Sequence, residues 1–237
     1  MNQLRLLLQK DGISLNEQQE SQFDSYYRLL IEWNEKFNLT AITEKREVVL
    51  KHFYDSLSLS FVVGLESSQN LIDVGSGAGF PSLPLKIMFP HLQVTIVDSL
   101  RKRIRFLEHV KTELDLKHVT CVHGRAEDVG RDNAHRDRYD IVTARAVARL
   151  NVLNEICLPF AKKDGMFVAM KGNDPQDEIK QASKSFQTMR SKLKEVHRFV
   201  LPGEEEAVRH LVVVQKLAHT PKSYPRKAGT PFKKPLQ

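Results

Sequence analysis

Leu71-Ile72-Asp73-Val74-Gly75-Ser76-Gly77-Ala78-Gly79-Phe80 decides the fold. A short, mainly apolar segment runs straight into a loop with glycine at every second position, and residues 83–89 beyond it have helical spacing. Glycine tolerates positive φ and lets a ligand approach the backbone closely. In open α/β sheets the first such crossover, at the carboxyl ends of the strands, is where ligands bind. A tight turn with no ligand is the alternative, but a strand before the loop and a helix after it are the context such motifs require. Further strands are expected at 94–97 (ending on Asp98), 119–123, 139–144 and 166–170, with helices at 102–114, 152–160 and 178–193. Strands alternating with helices imply a parallel sheet covered on both faces. Two closing strands, 196–201 and 210–216, flank a short Pro-Gly-acidic turn and predict an antiparallel hairpin at the sheet edge.

Upstream the pattern is helical. Leu4, Leu7 and Leu8 predict a short helix ending near Gly12, and 15–38 a long amphipathic one. Its residues Phe23, Tyr26, Tyr27, Leu30, Trp33 and Phe37 recur at steps of three and four, one face of a 3.6-residue period, and are read as core. A third helix at 48–59 should turn Val48, Val49, Phe53 and Leu57 inward. The expected organisation is a helical extension (1–65), a Rossmann-like α/β domain (66–218) and a basic, proline-rich tail (219–237). From 221 to 237 there are five basic residues, Lys222, Arg226, Lys227, Lys233 and Lys234, and no acid, so this stretch supplies +5 of the chain's net charge of +7. Its four prolines predict an extended or poorly ordered segment. A basic balance favours a polyanionic partner, and the five tail cations are the candidate phosphate contacts. No stretch approaches the ~18 to 20 apolar residues of a spanning helix. The N-terminus has no cleavage signature, and the two cysteines, Cys121 and Cys157, are far apart. Neither a secretory signal nor a disulfide framework is expected, and a reducing cytoplasm is the simplest setting.

The glycine spacing bears on the ligand. A dinucleotide fingerprint, G-x-G-x-x-G, would need its third glycine where the chain has Phe80. The pattern D-x-G-x-G-x-G resembles instead the first motif of class I S-adenosylmethionine methyltransferases. Asp73 suits the ligand's ammonium, and Asp98, at the end of the second strand, suits its ribose diol through charge-assisted hydrogen bonds. Ala126-Glu127, after the third strand, stands where that class reads the adenine edge.

The target atom is constrained by what is missing. Methyltransferases acting on exocyclic amines usually carry Asn/Asp-Pro-Pro-aromatic after the fourth strand; here the chain reads Thr143-Ala144-Arg145-Ala146-Val147-Ala148. Pyrimidine-C5 enzymes need a nucleophilic cysteine nearby, whereas Cys157 falls in a predicted helix and reads as a small buried apolar residue. The nine histidines show no metal-ligand spacing, and His52 with Asp55 reads as helix-surface or interface polarity. Such a site suits an atom that is already nucleophilic. Guanine N7 has a free lone pair, so proximity and electrostatics could supply most of the rate. The missing motifs permit N7 without establishing it. Arg145, just past the fourth strand, is the residue chosen for chemistry, by donating to guanine O6 or by positioning the reactants; a salt bridge to Asp140 or Glu127 is the alternative.

Taken together, Trp33-Asn34-Glu35-Lys36-Phe37-Asn38-Leu39-Thr40, His52-Phe53-Tyr54-Asp55-Ser56-Leu57, 73–81, Asp98-Ser99-Leu100, Arg125-Ala126-Glu127, Ala144-Arg145-Ala146 and Tyr224-Pro225-Arg226-Lys227-Ala228-Gly229-Thr230-Pro231 closely resemble the bacterial glucose-inhibited division protein B family, the small-subunit ribosomal RNA guanine-N7 methyltransferases. The resemblance spans almost the whole chain. It implies a class I methyltransferase fold, S-adenosylmethionine as cofactor, and a guanine in a decoding-region hairpin of 16S rRNA as target. The implied cofactor contacts are Gly75, Phe80, Asp98, Ser99, Leu100, Ala126, Glu127 and Arg145; the loop itself adds Asp73, Gly77 and Gly79. Some members carry proline or leucine where this chain has Ala78 and Phe80, so packing around the cofactor should differ here. The expected partner is 16S rRNA or the small ribosomal subunit, met by a monomer. No metal and no membrane are expected. A nicotinamide-dependent oxidoreductase, a small-molecule methyltransferase and an RNA-binding regulatory protein with a methyltransferase-like fold are the competing readings.

Overall fold

Seven strands pair into one sheet in the computed structural model, which describes residues 1–66, 70–204 and 207–237. They are β1 (Asn70–Val74), β2 (Gln93–Asp98), β3 (Val119–His123), β4 (Tyr139–Arg145), β5 (Ala161–Lys171), β6 (Ser191–Val200) and β7 (Val208–Lys216). Their spatial order is β3-β2-β1-β4-β5-β7-β6. The first five are parallel, and β7 enters antiparallel between β5 and β6, giving the expected edge hairpin. Glu205 and Glu206 of its connecting turn lie outside the described residues. The order reverses between β1 and β4, so the loops leaving these two strands flank the crevice where open sheets bind ligands.

Alternation along the central strands fills two apolar layers. Ile141, Val168, Leu211 and Val213 face one core, and Val142, Ala169, Val212 and Val214 the other. The first core is completed by α1 (Asn2–Lys10), α2 (Glu17–Phe37), α5 (Ser82–Met88) and α6 (Arg101–Glu113), the second by α7 (Ala126–Val129), α8 (Leu150–Cys157), α9 (Gln176–Gln181) and α10 (Ser183–Thr188). A reciprocal capping box between Asn16 and Gln19 starts α2, and Asn38, left-handed at φ 49°, stops it. Phe23, Tyr26 and Leu30 of its aromatic face are fully buried.

Three expectations change. The helix expected at 48–59 is a composite of α3 (Lys45–Val48), a π-helical segment (Val49–Tyr54), α4 (Asp55–Leu57) and a 3-10 turn (Ser58–Phe61). It buries the four predicted residues, and also His52, Asp55, Ser56 and Ser58, because it packs on both α1 and α5. The helix expected at 178–193 ends at Thr188; Arg190 takes a left-handed φ of 52°, and the chain leaves as β6. The third change is the tail, which is held along the domain. The Arg136 guanidinium donates to the carbonyls of Thr220, Pro221 and Tyr224 at 2.8 to 3.0 Å. Lys216, fully buried, donates to Leu158 O at 2.7 Å and contacts Thr220 Oγ1. Pro231 and Leu236 are buried, and a one-turn helix, α11 (Thr230–Lys233), lies near the end.

Candidate active site

The glycine loop leaves β1 with its first amide, Gly75 N–H, donating to Val97 O of β2 at 2.8 Å. Gly77 and Gly79 both have positive φ, 64° and 97°, but for different reasons. A Cβ on Gly79 would stand 2.5 Å from the Tyr26 hydroxyl and 2.7 Å from Leu83, so this glycine lets α2 pack beneath the loop. A Cβ on Gly77 would meet no protein atom within 4 Å, since Gly77 borders open space.

That space is one groove built of three joined hollows. The first, about 240 Å³, is lined by Asp98, Ser99, Arg103, Ala126, Glu127, Val147 and Phe232 among others. The second, about 190 Å³, lies over Gly75 to Ala78, with Thr40, His52, Phe80 and Arg145 opposite. The third, about 340 Å³, runs from His52, Asp55 and Arg145 to Met170, Lys171, Arg209 and Leu211. Ala146 lines all three, and its φ of 56° turns the chain sharply after β4.

Asp98 is nearly fully buried. Its Oδ1 accepts from Leu100 N–H at 2.8 Å and its Oδ2 from Gly77 N–H at 3.1 Å, with Arg103 Nη1 at 3.3 Å. Glu127, equally buried, accepts from Gly229 N–H of the tail at 2.8 Å. Arg145 does not meet Asp140 or Glu127. It donates to Asp55 Oδ2 (3.1 Å), to Lys51 O (3.2 Å) and to His52 Nδ1 (3.2 Å), and stands 5.0 Å over the Phe80 ring. Asp55 also faces Arg209 Nε at 3.3 Å. His52 Nδ1 lies 3.2 Å from Arg145 Nη2 and 3.1 Å from Lys51 O, and Nε2 lies 2.9 Å from Thr40 Oγ1. Burial, and then the charge of Arg145, push His52 down to about 3, which keeps the imidazole neutral.

The geometry sorts the expected site residues. Gly75, Gly77, Phe80, Asp98, Ser99, Ala126, Glu127 and Arg145 line the groove. Asp73 does not: it is fully buried below the loop, where Oδ2 accepts from Ser82 N–H at 3.2 Å, and burial raises its carboxyl to about 7. Gly79 is a packing residue, and Leu100 points an exposed side chain outward while its amide holds Asp98. In the tail, Lys222, Lys227, Lys233 and Lys234 are exposed. Arg226 is instead committed to the fully buried Glu155, with Nε and Nη2 donating at 2.9 and 2.6 Å. His52 and Asp55, read as helix-surface or interface polarity, are not on the surface: both are buried beside Arg145. Thr40, Arg209 and Phe232 were not anticipated: each reaches the groove from a segment distant in sequence, and each lines a different hollow.

S-adenosylmethionine fits this arrangement. A carboxylate at the end of β2 and another after β3 frame the first hollow, and glycine leaves the second open for the methionine portion of the ligand. No group of three metal-ligating side chains occurs among the described residues.

Comparison with known proteins agrees with the geometry. The family described as rRNA small subunit methyltransferase G matches residues 19–212. The chain belongs to that family. The enzyme of that name from Bacillus licheniformis is 55% identical over 230 residues, covering 97% of this chain and 96% of the relative. That of Bacillus subtilis is 54% identical, with the same coverage. Among solved structures, the O-methyltransferase from Bacillus cereus in complex with SAH superposes with a TM-score of 0.56 at 13% identity, over 81% of this chain and 90% of that one. The [4+2]-cyclase SpnF gives 0.54 at 11%, over 69% and 80%. A cyclase on the same fold shows that architecture alone does not set the reaction. The rRNA small subunit methyltransferase G family does so here, and the chain is an S-adenosylmethionine-dependent methyltransferase.

Proposed function

We propose that this methyltransferase modifies N7 of a guanine in 16S rRNA, acting in the cytoplasm as a monomer on the RNA or the small ribosomal subunit. S-adenosylmethionine supplies an activated methyl group on sulfonium sulfur. Attack by the N7 lone pair on that methyl group would require no proton to leave the base. Gly75, Gly77, Asp98, Ala126 and Glu127 would hold the cofactor, and Arg145 would fix the base beside it.

One observation carries the reading. His52, the imidazole opposite the glycine loop, is buried with its Nδ1 3.2 Å from the Arg145 guanidinium, and burial and that charge hold it neutral with a pKa of about 3. It is a poor proton acceptor at neutral pH, which suits a target that needs no deprotonation. The long hollow beyond it is walled by Lys51, Arg209 and Lys171, suited to the phosphates flanking a base. Residues 1–65 would then serve as a helical extension closing the groove over the 66–218 domain, and the exposed lysines of 219–237 as further phosphate contacts.

The test is tritiated S-adenosylmethionine with small subunits, or naked 16S rRNA, lacking the modification. Label should enter one guanosine, and borohydride and aniline treatment should cleave the RNA there, as N7-methylguanosine requires. Label in a base resistant to that cleavage would overturn the proposal.

A further inference from the structure

We propose that Asp55 and Arg145 together read the Watson–Crick side of the target guanine, Arg145 donating to O6 and Asp55 accepting from N1–H and the 2-amino group. The inference rests on the reaction proposed above. It begins from an order along the groove. The hollow over the glycine loop contains Arg145 but not Asp55; the long hollow beyond contains both. Moving away from the glycine loop, the wall therefore presents donors first and a carboxylate second. Guanine's edge runs N7, O6, N1–H, 2-amino. With N7 at the glycine loop, where the methyl group is delivered, O6 falls to Arg145 and the two N–H donors fall to Asp55.

The hollow has what a base needs besides an edge reader. Met170 and Leu211, both buried, offer apolar surface to the ring. Asp55 is 5% exposed, and Oδ1 is left without a hydrogen bond although Arg209 Nε lies 3.3 Å away. Held between two guanidiniums, this carboxylate keeps acceptor capacity for a ligand that brings donors. Adenine would set its amino group against the guanidinium and its N1 lone pair against the carboxylate, repulsive at both points.

The pair also answers an electrostatic difficulty. Methylation at N7 leaves a cationic ring, and Arg145 alone would oppose that charge. Asp55, shared between Arg145 and Arg209, offsets one of their two positive charges beside the ring. As the ring gains charge its N1–H becomes a stronger donor, so the Asp55 contact tightens toward the transition state.

Single-turnover methyl transfer would be measured on small subunits reconstituted with guanosine or with inosine, which lacks the 2-amino group, at the target position. The wild-type enzyme should be slower on inosine by roughly 10- to 100-fold. In Asp55→Asn the two rates should converge, because guanosine loses its advantage; a residue that merely positions Arg145 would lower both rates and preserve the ratio. Asp55→Glu keeps the carboxylate, and its ratio should fall between the two. Calorimetric binding of S-adenosylhomocysteine reports whether each variant folds. Equal wild-type rates on guanosine and inosine overturn the proposal without any variant, as does an unchanged ratio in Asp55→Asn. Absence of N7 methylation on the guanosine subunits would instead defeat the underlying reaction.

Discussion

The backbone amide of Gly229 donates to Glu127 Oε1 at 2.8 Å, tying the C-terminal segment to the carboxylate that follows β3 on the groove wall. Phe232, three residues on, lines the same hollow. The tail is therefore a wall of the cofactor site as well as a carrier of positive charge, and its basic residues divide into two kinds.

Arg226 is the structural kind. Arg226→Met would leave the fully buried Glu155 carboxylate without its bidentate partner, and an uncompensated buried charge costs about 3 to 5 kcal/mol. Urea unfolding should show a loss of that order, together with weaker S-adenosylhomocysteine binding as Gly229 and Phe232 loosen. Replacing Lys222, Lys227, Lys233 and Lys234 with alanine should do the reverse. The melting temperature should hold, while the slope of log affinity for rRNA against log salt should fall by roughly 0.7 to 0.9 for each phosphate that a lysine no longer neutralises. A stable Arg226→Met, or an unchanged salt slope in the lysine variant, would defeat the division.

The glycines of the loop divide likewise. Gly77→Val puts its side chain into empty groove, so the fold should lose only the strain of a left-handed valine, roughly 1 to 2 kcal/mol, while cofactor binding is abolished. Gly79→Ala drives a methyl into the Tyr26 hydroxyl, itself bonded to Ala78 O, and should cost another 1 to 3 kcal/mol of overpacking beyond about the same strain. Thermal melts and calorimetry on the two variants check this. Normal cofactor affinity in Gly77→Val would remove the argument that the loop borders the ligand.

How far the sequence could be read follows from what each feature depends on. Strand–helix alternation and the glycine loop are local, and all seven strands were legible from period and punctuation alone. The limits of β5 and β6 were not, because pairing of Ala161 with Tyr139 and of Ser191 with Lys216 carries the strands across Lys162, Lys163, Lys192 and Lys194, whose polarity reads as loop or helix. Site residues just after strand ends were legible for the same local reason. His52 and Asp55 were not: on an isolated helix they look solvated, and only packing against α5 and the end of β4 buries them. The tail misleads because its proline density predicts disorder, whereas four carbonyls accepting from Arg136, three of them in the tail, give it a fixed path.

Arg145→Lys keeps the charge and loses the fork. In the native protein the guanidinium spans Lys51 O, Asp55 and His52 at once, which a single ammonium cannot do. Displacing the group by about an ångström can cost on the order of 100-fold in rate. Single-turnover transfer with saturating cofactor and RNA should fall by that order while S-adenosylhomocysteine affinity stays nearly unchanged. A rate close to wild type would mean that only charge is required of this position.

Asp73 and His52 give the fold two opposed responses to pH. Burial lifts the Asp73 carboxyl from 3.8 to about 7, so between those values the folded chain binds a proton that the unfolded chain releases, and stability falls as pH rises. Burial and Arg145 lower His52 from 6.5 to about 3, so over that range the unfolded chain holds the extra proton and stability rises with pH. Where the ranges overlap, about pH 4 to 6.5, the two slopes oppose each other, each at most about 1.4 kcal/mol per pH unit. Asp73→Asn removes the falling contribution, and its stability relative to wild type should climb from pH 4.5 to 6.5. His52→Gln removes the rising one, and its relative stability should decline over the same interval. Urea unfolding at three pH values for each variant measures the difference. Parallel curves for Asp73→Asn and wild type would show that Asp73 is ionised below the loop throughout, and that the α5 amide at Ser82 outweighs its burial.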